Sequence, residues 1–148
     1  MRPLAPLALV LAACEAEPPD WPARTFEGLS VPVPPGWVVS VSEGVLRMEQ
    51  NPDARQPHVV WVWTAPPPPL PAPLEGFGPL EPRHEGSDPA PHVIVAPGGG
   101  SGGTQYDISI PKRIGERSVT VRGTRQTELG RPRFEAAWGV WRGLAEAD

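Results

Sequence analysis

The seven residues His58-Val59-Val60-Trp61-Val62-Trp63-Thr64 (HVVWVWT) decide how this chain folds. They are largely β-branched or aromatic, the residue types that fit a pleated strand best. Because side chains alternate along a strand, Trp61 and Trp63 share one face while Val60 and Val62 share the other. Both faces are apolar, so the segment is predicted to be a central strand. A tryptophan-lined ligand surface is the alternative, although tryptophans paired in a core are commoner.

Other strand patterns lie on both sides of this segment. Apolar and polar residues alternate in them, as in half-buried strands. The predicted strands are 37–41, 45–50, 92–96, 104–110 and 117–122. Residues 97–103 (PGGGSGG) are predicted to form a flexible turn, and Pro111 is predicted to end the strand before it. The polar, glycine-punctuated stretch 123–132 is predicted to be a connection.

The end of the chain carries the clearest helical pattern, over residues 134–144. One helical stripe is formed by Phe134, Ala137, Trp138, Trp141 and Leu144. Gly139 and Gly143 each weaken a helix by about 1 kcal/mol relative to alanine, so packing has to hold it, and one of them would permit close approach to the sheet. The predicted fold class is α+β, a twisted antiparallel sheet with a C-terminal helix packed on one face.

Residues 28–37 (GLSVPVPPGW) resemble the opening hairpin of the PsbP-like α/β proteins, and the closing helix is similar to the one that ends that fold. The resemblance implies helices packed against an antiparallel sheet and a role in binding or assembly. PsbP-like proteins usually have a further helix before the middle strands. In this chain a proline-rich insert occupies much of that space.

The insert covers about residues 65–91 and begins with four consecutive prolines after Ala65. Such a stretch is too long for a routine connection and favours irregular or polyproline-like chain. It is either a poorly ordered insert or a semi-rigid loop that contacts a partner, and its composition favours the first.

The first fourteen residues, MRPLAPLALVLAAC, have the pattern of a signal peptide. Their apolar run is far shorter than the ~20 residues that span a bilayer. Leu11-Ala12-Ala13-Cys14 resembles the lipobox of bacterial lipoproteins. That resemblance implies cleavage before Cys14 and a lipid (diacylglycerol, palmitate) on its thiol. The predicted organisation is a signal peptide over 1–13, a proline-rich acidic tether over 14–23, and one domain over 24–145.

The lipobox resemblance also implies a cellular location. The protein is expected in the cell envelope, anchored to the membrane and facing the periplasm. The residue after Cys14 is Glu15 rather than the aspartate that tends to retain lipoproteins in the inner membrane. The outer membrane is therefore favoured over the inner one.

Charge is unevenly distributed along the chain, whose formal net charge is −4. Residues 14–110 carry four arginines against twelve acids, a net of −8, whereas residues 111–142 carry eight basic residues against three acids, a net of +5. The basic stretch is predicted to be a solvated hairpin face. The negative overall charge argues against nucleic acid as a partner.

Several motifs have the spacing of known chemistry but not its context. Gly98, Gly100 and Gly103 fit G-x-G-x-x-G, yet a predicted strand follows them instead of the helix that would receive a phosphate. Ser109 and Lys112 fit S-x-x-K, yet lie in a predicted strand with none of the companion motifs. No nucleotide, cofactor or catalytic residue is predicted.

The three histidines, His58, His84 and His92, lack the spacing of zinc ligands, and no metal is predicted. His84 with Glu85 and Asp88 forms at most a weak cluster in a solvated loop. Carboxylates far apart in sequence could still converge in space.

Three hypotheses of function follow. Small lipoproteins that act as immunity partners of type VI secretion effectors are similar in size, anchor and sheet-rich layout. The leading hypothesis is therefore a non-enzymatic, lipid-anchored envelope protein that binds a protein partner, in one version as an immunity protein. The rival is a hydrolase of envelope polymers, with acids such as Glu49, Asp53 or Asp107 converging in a cleft. An envelope assembly or stress factor is the third possibility.

Overall fold

Two antiparallel sheets and one helix make up the fold. The computed structural model describes residues 18–53, 58–72, 82–83, 90–100, 103–128 and 133–148. Its elements are β1 (Ala23–Phe26), β2 (Leu29–Pro32), β3 (Val38–Ser42), β4 (Val45–Glu49), β5 (Val59–Trp63), β6 (Pro82–Arg83), β7 (His92–Gly100), β8 (Gly103–Ile114), β9 (Arg117–Thr127), α1 (Glu135–Gly143) and β10 (Ala145–Glu146). The α+β class is confirmed.

The small sheet has the order β1-β2-β10 and the large sheet the order β3-β4-β5-β9-β8-β7-β6. Every strand pair is antiparallel. The sequence predicted one sheet. The second sheet is formed by the β1–β2 hairpin, and β10, from the other end of the sequence, returns to pair with β2 as its third strand.

The central strand predicted from HVVWVWT is confirmed as β5, which lies between β4 and β9. Val62 opposes Leu46 on one side and Val121 on the other. Val60 and Val62 are buried, whereas Trp61 and Trp63 on the opposite face are half-buried. The two faces of the strand are thus unequal, and the valine face is the one that points into the core.

The hydrophobic core lies on the valine face of the large sheet. Two rows of facing residues cross it: Leu46, Val62, Val121 and Ile110 in one, and Met48, Val60, Gly123, Ile108 and Ile94 in the other. Burying one side chain of this size stabilises the fold by about 1.5–3 kcal/mol. Helix α1 packs against these two rows.

Helix α1 approaches the large sheet at Gly123. A Cβ atom built at that position would lie 3.2 Å from Cβ of Ala137 and 3.3 Å from Cγ2 of Ile108. The absent side chain of Gly123 therefore lets the helix backbone come close to β9. The prediction that residue 123 begins a connection is wrong, because Gly123 pairs with Val60 and Ile108 and the strand continues to Thr127.

The helix itself is confirmed, with Phe134 and Leu144 as its flanking residues. Its buried residues include Ala137, Trp138 and Val140. A Cβ atom at Gly143 would lie 2.8 Å from Cγ of Pro32 in β2, so this glycine permits the predicted close approach, to the small sheet. No helix among the described residues is long and apolar enough to span a bilayer.

The C-terminal end of α1 is fastened by Lys112 of β8. Its Nζ atom donates hydrogen bonds to the carbonyl oxygens of Trp141 (2.5 Å) and Leu144 (2.9 Å) and lies 4.8 Å from the centre of the Trp141 ring. In return, the indole Nε1 of Trp141 donates to the carbonyl of Pro111 at 3.1 Å. The last carbonyls of a helix have no partners within it, and Lys112 supplies a charged donor to two carbonyls at this end. We call this set of contacts the Lys112 clamp.

Two other predictions made from proline and glycine differ from the structure: that Pro111 ends a strand, and that residues 97–103 form a flexible turn. Pro111 lies inside β8, because β7 pairs with β8 only as far as Ser109 and the missing N–H of Pro111 therefore disrupts no pairing with β7. Residues 97–100 belong to β7 and Gly103 opens β8, with a register shift between Val95 and Gly98. The described part of the glycine-rich stretch thus belongs to the paired strands β7 and β8, and residues 101–102 of the predicted turn lie outside the described residues.

The chain also contacts the core before the first strand. The Trp21 side chain is half-buried against the core, and the carbonyl of Pro22 accepts a hydrogen bond from Val33 N at 2.8 Å. In the large sheet, β3 is an edge strand, and Val38 and Val41 are 54% and 48% exposed. Only Trp37 and Val39 of the predicted strand 37–41 pack against the core.

Replacing Gly123 with valine is expected to lower the free energy of unfolding by about 1–3 kcal/mol, because the added atoms meet Ala137 and Ile108 in a filled core. Urea denaturation followed by tryptophan fluorescence measures the change. The matched control is Gly98→Val, since nothing lies within 4 Å of a Cβ atom there. Wild-type stability in the Gly123→Val variant would contradict the packing described.

Replacing Lys112 with methionine, which keeps the length of the stem, is expected to cost about 2 kcal/mol, because a hydrogen bond from a charged group contributes roughly 1.5–3 kcal/mol. Hydrogen exchange of the amides in the last turn of α1 should also become faster. Arg113→Met, at the exposed neighbouring position, serves as the control. An unchanged exchange rate would show that the clamp does not hold the helix.

Candidate functional site

A cleft of about 340 Å³ opens between the beginning of α1 and the large sheet. Its walls come from separate parts of the chain: the segment before β1, the turn before β3, the start of β5, the end of β9 and the first turn of α1. The residues that carry side-chain chemistry in it are Trp21, Trp37, Gln50, His58, Arg125, Arg133 and Glu135. Most of them lie in or beside connections, where binding residues concentrate.

Two tryptophans form apolar parts of the cleft wall. Trp21 lies across α1, where a Cβ atom at Gly139 would be 2.4 Å from its ring. Trp37 lies beside His58, with ring centroids 6.5 Å apart and planes tilted by 51°. Both indoles are half-buried, so part of each ring remains available to a ligand.

His58 lies in the same wall, and the pKa of its imidazole is lowered. Burial, and secondarily the positive charge of Arg125, lower the pKa of its imidazole below the ordinary value of 6.5. The imidazole is therefore neutral at pH 7. Arg125 thus lies close enough to His58 to act on it electrostatically.

Two guanidinium groups supply the charge of the cleft. Arg125 of β9 donates from Nη1 to the carbonyl of Arg133 at 2.6 Å, which joins the end of β9 to the segment before α1. Arg125 is half-buried and Arg133 is exposed. The arrangement offers fixed donors beside apolar rings, a combination suited to recognising a surface with carboxylates and hydrophobic groups.

A second set of aromatic residues lies on the outer face of the large sheet. Trp61 and Trp63 line a cavity of about 180 Å³ together with the proline-rich residues 68–71. Arg122 fastens that segment, since its Nη1 donates to the carbonyl of Pro68 at 2.5 Å. The first part of the predicted insert thus lies against the tryptophan face of the sheet. Residues 73–81 and 84–89 lie outside the described part of the chain.

The carboxylates proposed for a hydrolase are not brought together. Glu49 is 7% exposed and its Oε2 is 2.6 Å from Nη1 of Arg47. Asp107 accepts hydrogen bonds from Thr124 (2.5 Å) and Gln105 (3.1 Å). Glu49 and Asp107 stand in one row with β5 and β9 between their strands, so their backbones are roughly 14 Å apart.

The third acid, Asp53, is exposed in the turn after β4, where its backbone N–H donates to Asn51 Oδ1 at 3.1 Å. The three cavities measured, of about 180, 340 and 530 Å³, have none of these acids in their lining except Asp107 in the smallest. The arrangement described for these carboxylates does not provide the pair that glycoside hydrolysis uses.

The histidines occupy different places. His58 lies in the cleft, whereas His92 is buried in β7, with Nδ1 3.0 Å from the carbonyl of Ala90 and its ring edge-on to Trp138 at 5.1 Å. His84, Glu85 and Asp88 lie outside the described residues. Within the described ranges, no group of three histidine, cysteine or acidic residues is placed to hold a metal ion.

The other motifs have structural roles. Gly98, Gly100 and Gly103 belong to the β7–β8 hairpin, and a strand follows them as predicted. Ser109 accepts a hydrogen bond from Arg122 Nε at 3.3 Å, whereas Lys112 forms the clamp on α1. Three residues apart on one strand, their side chains point to opposite faces. Cys14 lies outside the described residues.

The cleft is not predicted from the sequence. Trp21 falls in the predicted tether, and the arginines fall in the predicted solvated hairpin face. The one available indication of a binding site is residue type, since tryptophan and arginine are the residues most enriched at binding hot spots. No local pattern places Trp21, Trp37, His58 and Arg125 together, because they come from four distant segments.

Residues 30–144 match the model of the type six secretion immunity 3 (Tsi3) domain. The chain is 30% identical over 138 residues to the "Immune protein Tsi3" of Pseudomonas aeruginosa strain PAO1, which covers 90% of this chain and 89% of that protein.

A solved structure is also similar in fold. The crystal structure of a protein from Bacteroides thetaiotaomicron VPI-5482 superposes with a TM-score of 0.50 at 11% identity. The match covers 82% of this chain and 46% of that one, so this chain spans about half its length. At this identity the likeness concerns the fold alone. The family match and the Pseudomonas relative, in contrast, cover most of the sequence, and the chain belongs to the type six secretion immunity 3 domain family.

Proposed function

We propose that this protein is an immunity protein, a non-enzymatic module that binds an effector delivered by type VI secretion and blocks its action. The observation that carries the proposal is the family match over residues 30–144, which includes every strand of the large sheet and the helix. The relative from Pseudomonas aeruginosa is itself named an immune protein. Envelope assembly and polymer hydrolysis have no comparable support.

The geometry is consistent with inhibition by binding. An inhibitor needs a preformed surface whose side chains do not have to be ordered at a further entropic cost. The cleft provides one, because Arg125 is hydrogen-bonded to the backbone of Arg133 and Trp21 is packed on α1. The acids Glu49 and Asp107 are engaged in contacts within the sheet. Binding and occlusion require no reaction by this chain.

We further propose that the protein is a lipoprotein anchored through Cys14 in the cell envelope, facing the periplasm and favouring the outer membrane. The support is the lipobox-like Leu11-Ala12-Ala13-Cys14 and the Glu15 that follows it. An anchor confines the inhibitor to the compartment in which the effector acts. Confinement raises its effective concentration there without any additional contact.

The immunity function predicts that the gene beside that of this protein encodes the toxic effector. Exporting that effector to the periplasm of a bacterial host is expected to reduce viability, and co-export of this protein is expected to restore it. The purified pair should associate in titration calorimetry. An unrelated periplasmic toxin is the control and should stay toxic. Absence of both association and protection would overturn the proposed function.

The anchor predicts that Cys14 carries the lipid. Cells fed a fatty-acid analogue should label the wild-type protein and not the Cys14→Ala variant, and the variant should partition into the soluble periplasmic fraction. Labelling that persists in Cys14→Ala would contradict the anchor. This outcome is distinct from failure of the immunity function, because binding does not require the lipid. The association and protection measured in the previous experiment test that function separately.

A further inference from the structure

We infer that the cleft between α1 and the large sheet is the surface that engages the effector, and that it takes a carboxylate-bearing loop of that protein. The inference rests on the proposed function and adds to it the location and the chemistry of the contact. Three observations support it: the positive charge of the cleft, the two tryptophans in its wall, and the contacts that hold Arg125 and Trp21 in place.

The charge of the cleft is opposite to that of the chain. The chain has 17 acidic and 13 basic residues, yet Arg125 and Arg133 line the cleft with a single acid, Glu135. Among the described residues the one salt bridge found joins Arg47 to Glu49, away from the cleft. The two guanidinium groups are therefore not neutralised by a neighbouring carboxylate in this part of the molecule.

Arg125 is oriented as well as charged. Its Nη1 bond to the carbonyl of Arg133 uses one of five donors and restrains the orientation of the guanidinium. A fixed guanidinium recognises a carboxylate through two parallel hydrogen bonds, which gives both strength and direction. His58 contributes no competing charge at neutral pH, since its imidazole is neutral there.

The apolar walls restrict the partner further. Trp21 and Trp37 would contact the hydrophobic residues or the aliphatic stem that accompany the carboxylate. Burial of large aromatic rings beside a charge-assisted hydrogen bond is the usual composition of an interface hot spot. A cleft of about 340 Å³ accommodates side chains of a projecting loop, and a whole folded domain would rest on its rim.

The other aromatic surface is smaller and less suited to a carboxylate. Trp61 and Trp63 line a cavity of about 180 Å³ together with residues 68–71 of the same chain. The guanidinium of Arg122 in that cavity already donates to the carbonyl of Pro68, and the acid Asp107 belongs to the same lining.

The test compares charge reversal in the cleft with charge reversal elsewhere. The variant Arg125→Glu/Arg133→Glu and the control Arg113→Glu, an exposed arginine on β8 outside the cleft, remove the same type of charge. The probe is the purified product of the adjacent effector gene, measured by titration calorimetry. The double reversal is expected to weaken association about 100-fold or more, whereas the control should stay within about threefold of wild type.

Two further measurements keep the test decisive. If the double reversal is unfolded by circular dichroism, Arg125→Gln/Arg133→Gln replaces it, and the same loss of affinity is expected. Exchanging an acid of the effector for lysine should restore binding to the Arg→Glu variant and not improve binding to wild type.

The outcomes separate the two proposals. If wild type binds the effector and the cleft variants bind as Arg113→Glu does, the inference is overturned while the immunity function stands. If wild type neither binds nor protects, the proposed function itself fails. Selective loss in the cleft variants, with rescue by the reversed effector, establishes the carboxylate contact.

Discussion

The close approach of α1 to β9 at Gly123 is the constraint on which the rest of this structure depends. Ala137 can rest against the sheet only because residue 123 has no side chain, and this contact sets the height of the helix above the two rows of core residues. The helix in turn positions Phe134 and Arg133 at its beginning and receives Lys112 at its end. The cleft is the space left between that helix and the ends of β5 and β9. Its width is therefore a consequence of core packing, because interiors are close-packed and transmit a change of even one methylene.

The sequence predicts the elements whose signals are local. The β-branched and aromatic run of β5 and the helical stripe from Phe134 to Leu144 are each readable within about a dozen residues, and both are confirmed. Glycine and proline led to wrong strand ends where pairing with neighbouring strands decides whether a strand continues. Gly123 stays in β9 because β5 and β8 pair with it on both sides, and Pro111 stays in β8 where β7 has ended. The small sheet and the cleft were not predictable for the same reason: β10 with β2, and Trp21 with Arg125, join segments from opposite ends of the chain.

The family and the geometry lead to the same kind of molecule by different routes. The chain belongs to the type six secretion immunity 3 domain family, and in the proposed function it needs a rigid surface more than a reactive group. Glu49 is paired with Arg47, and Asp107 accepts hydrogen bonds on the outer face of the sheet, where both stabilise strands. Arginine, which is always charged and fixed by a backbone contact in the cleft, keeps its charge across the physiological pH range. Association through the cleft, as inferred above, is therefore expected to depend on ionic strength more than on pH, since exposed charges are screened within about 8–10 Å at ordinary salt concentrations.

The Lys112 clamp has a practical consequence for anyone handling this protein. Lys112 is the single lysine of the chain, so amine-directed chemistry has one side chain to modify. Burial lowers the pKa of its ammonium group, which makes the reactive free amine more abundant at mildly alkaline pH. Acylation would remove the charge that holds the carbonyls of Trp141 and Leu144, and would release the end of α1 that borders the small sheet. Biotinylation, dye coupling or sensor immobilisation through amines would thus report on a loosened helix, whereas attachment through an engineered cysteine or a terminal tag would leave the fold intact.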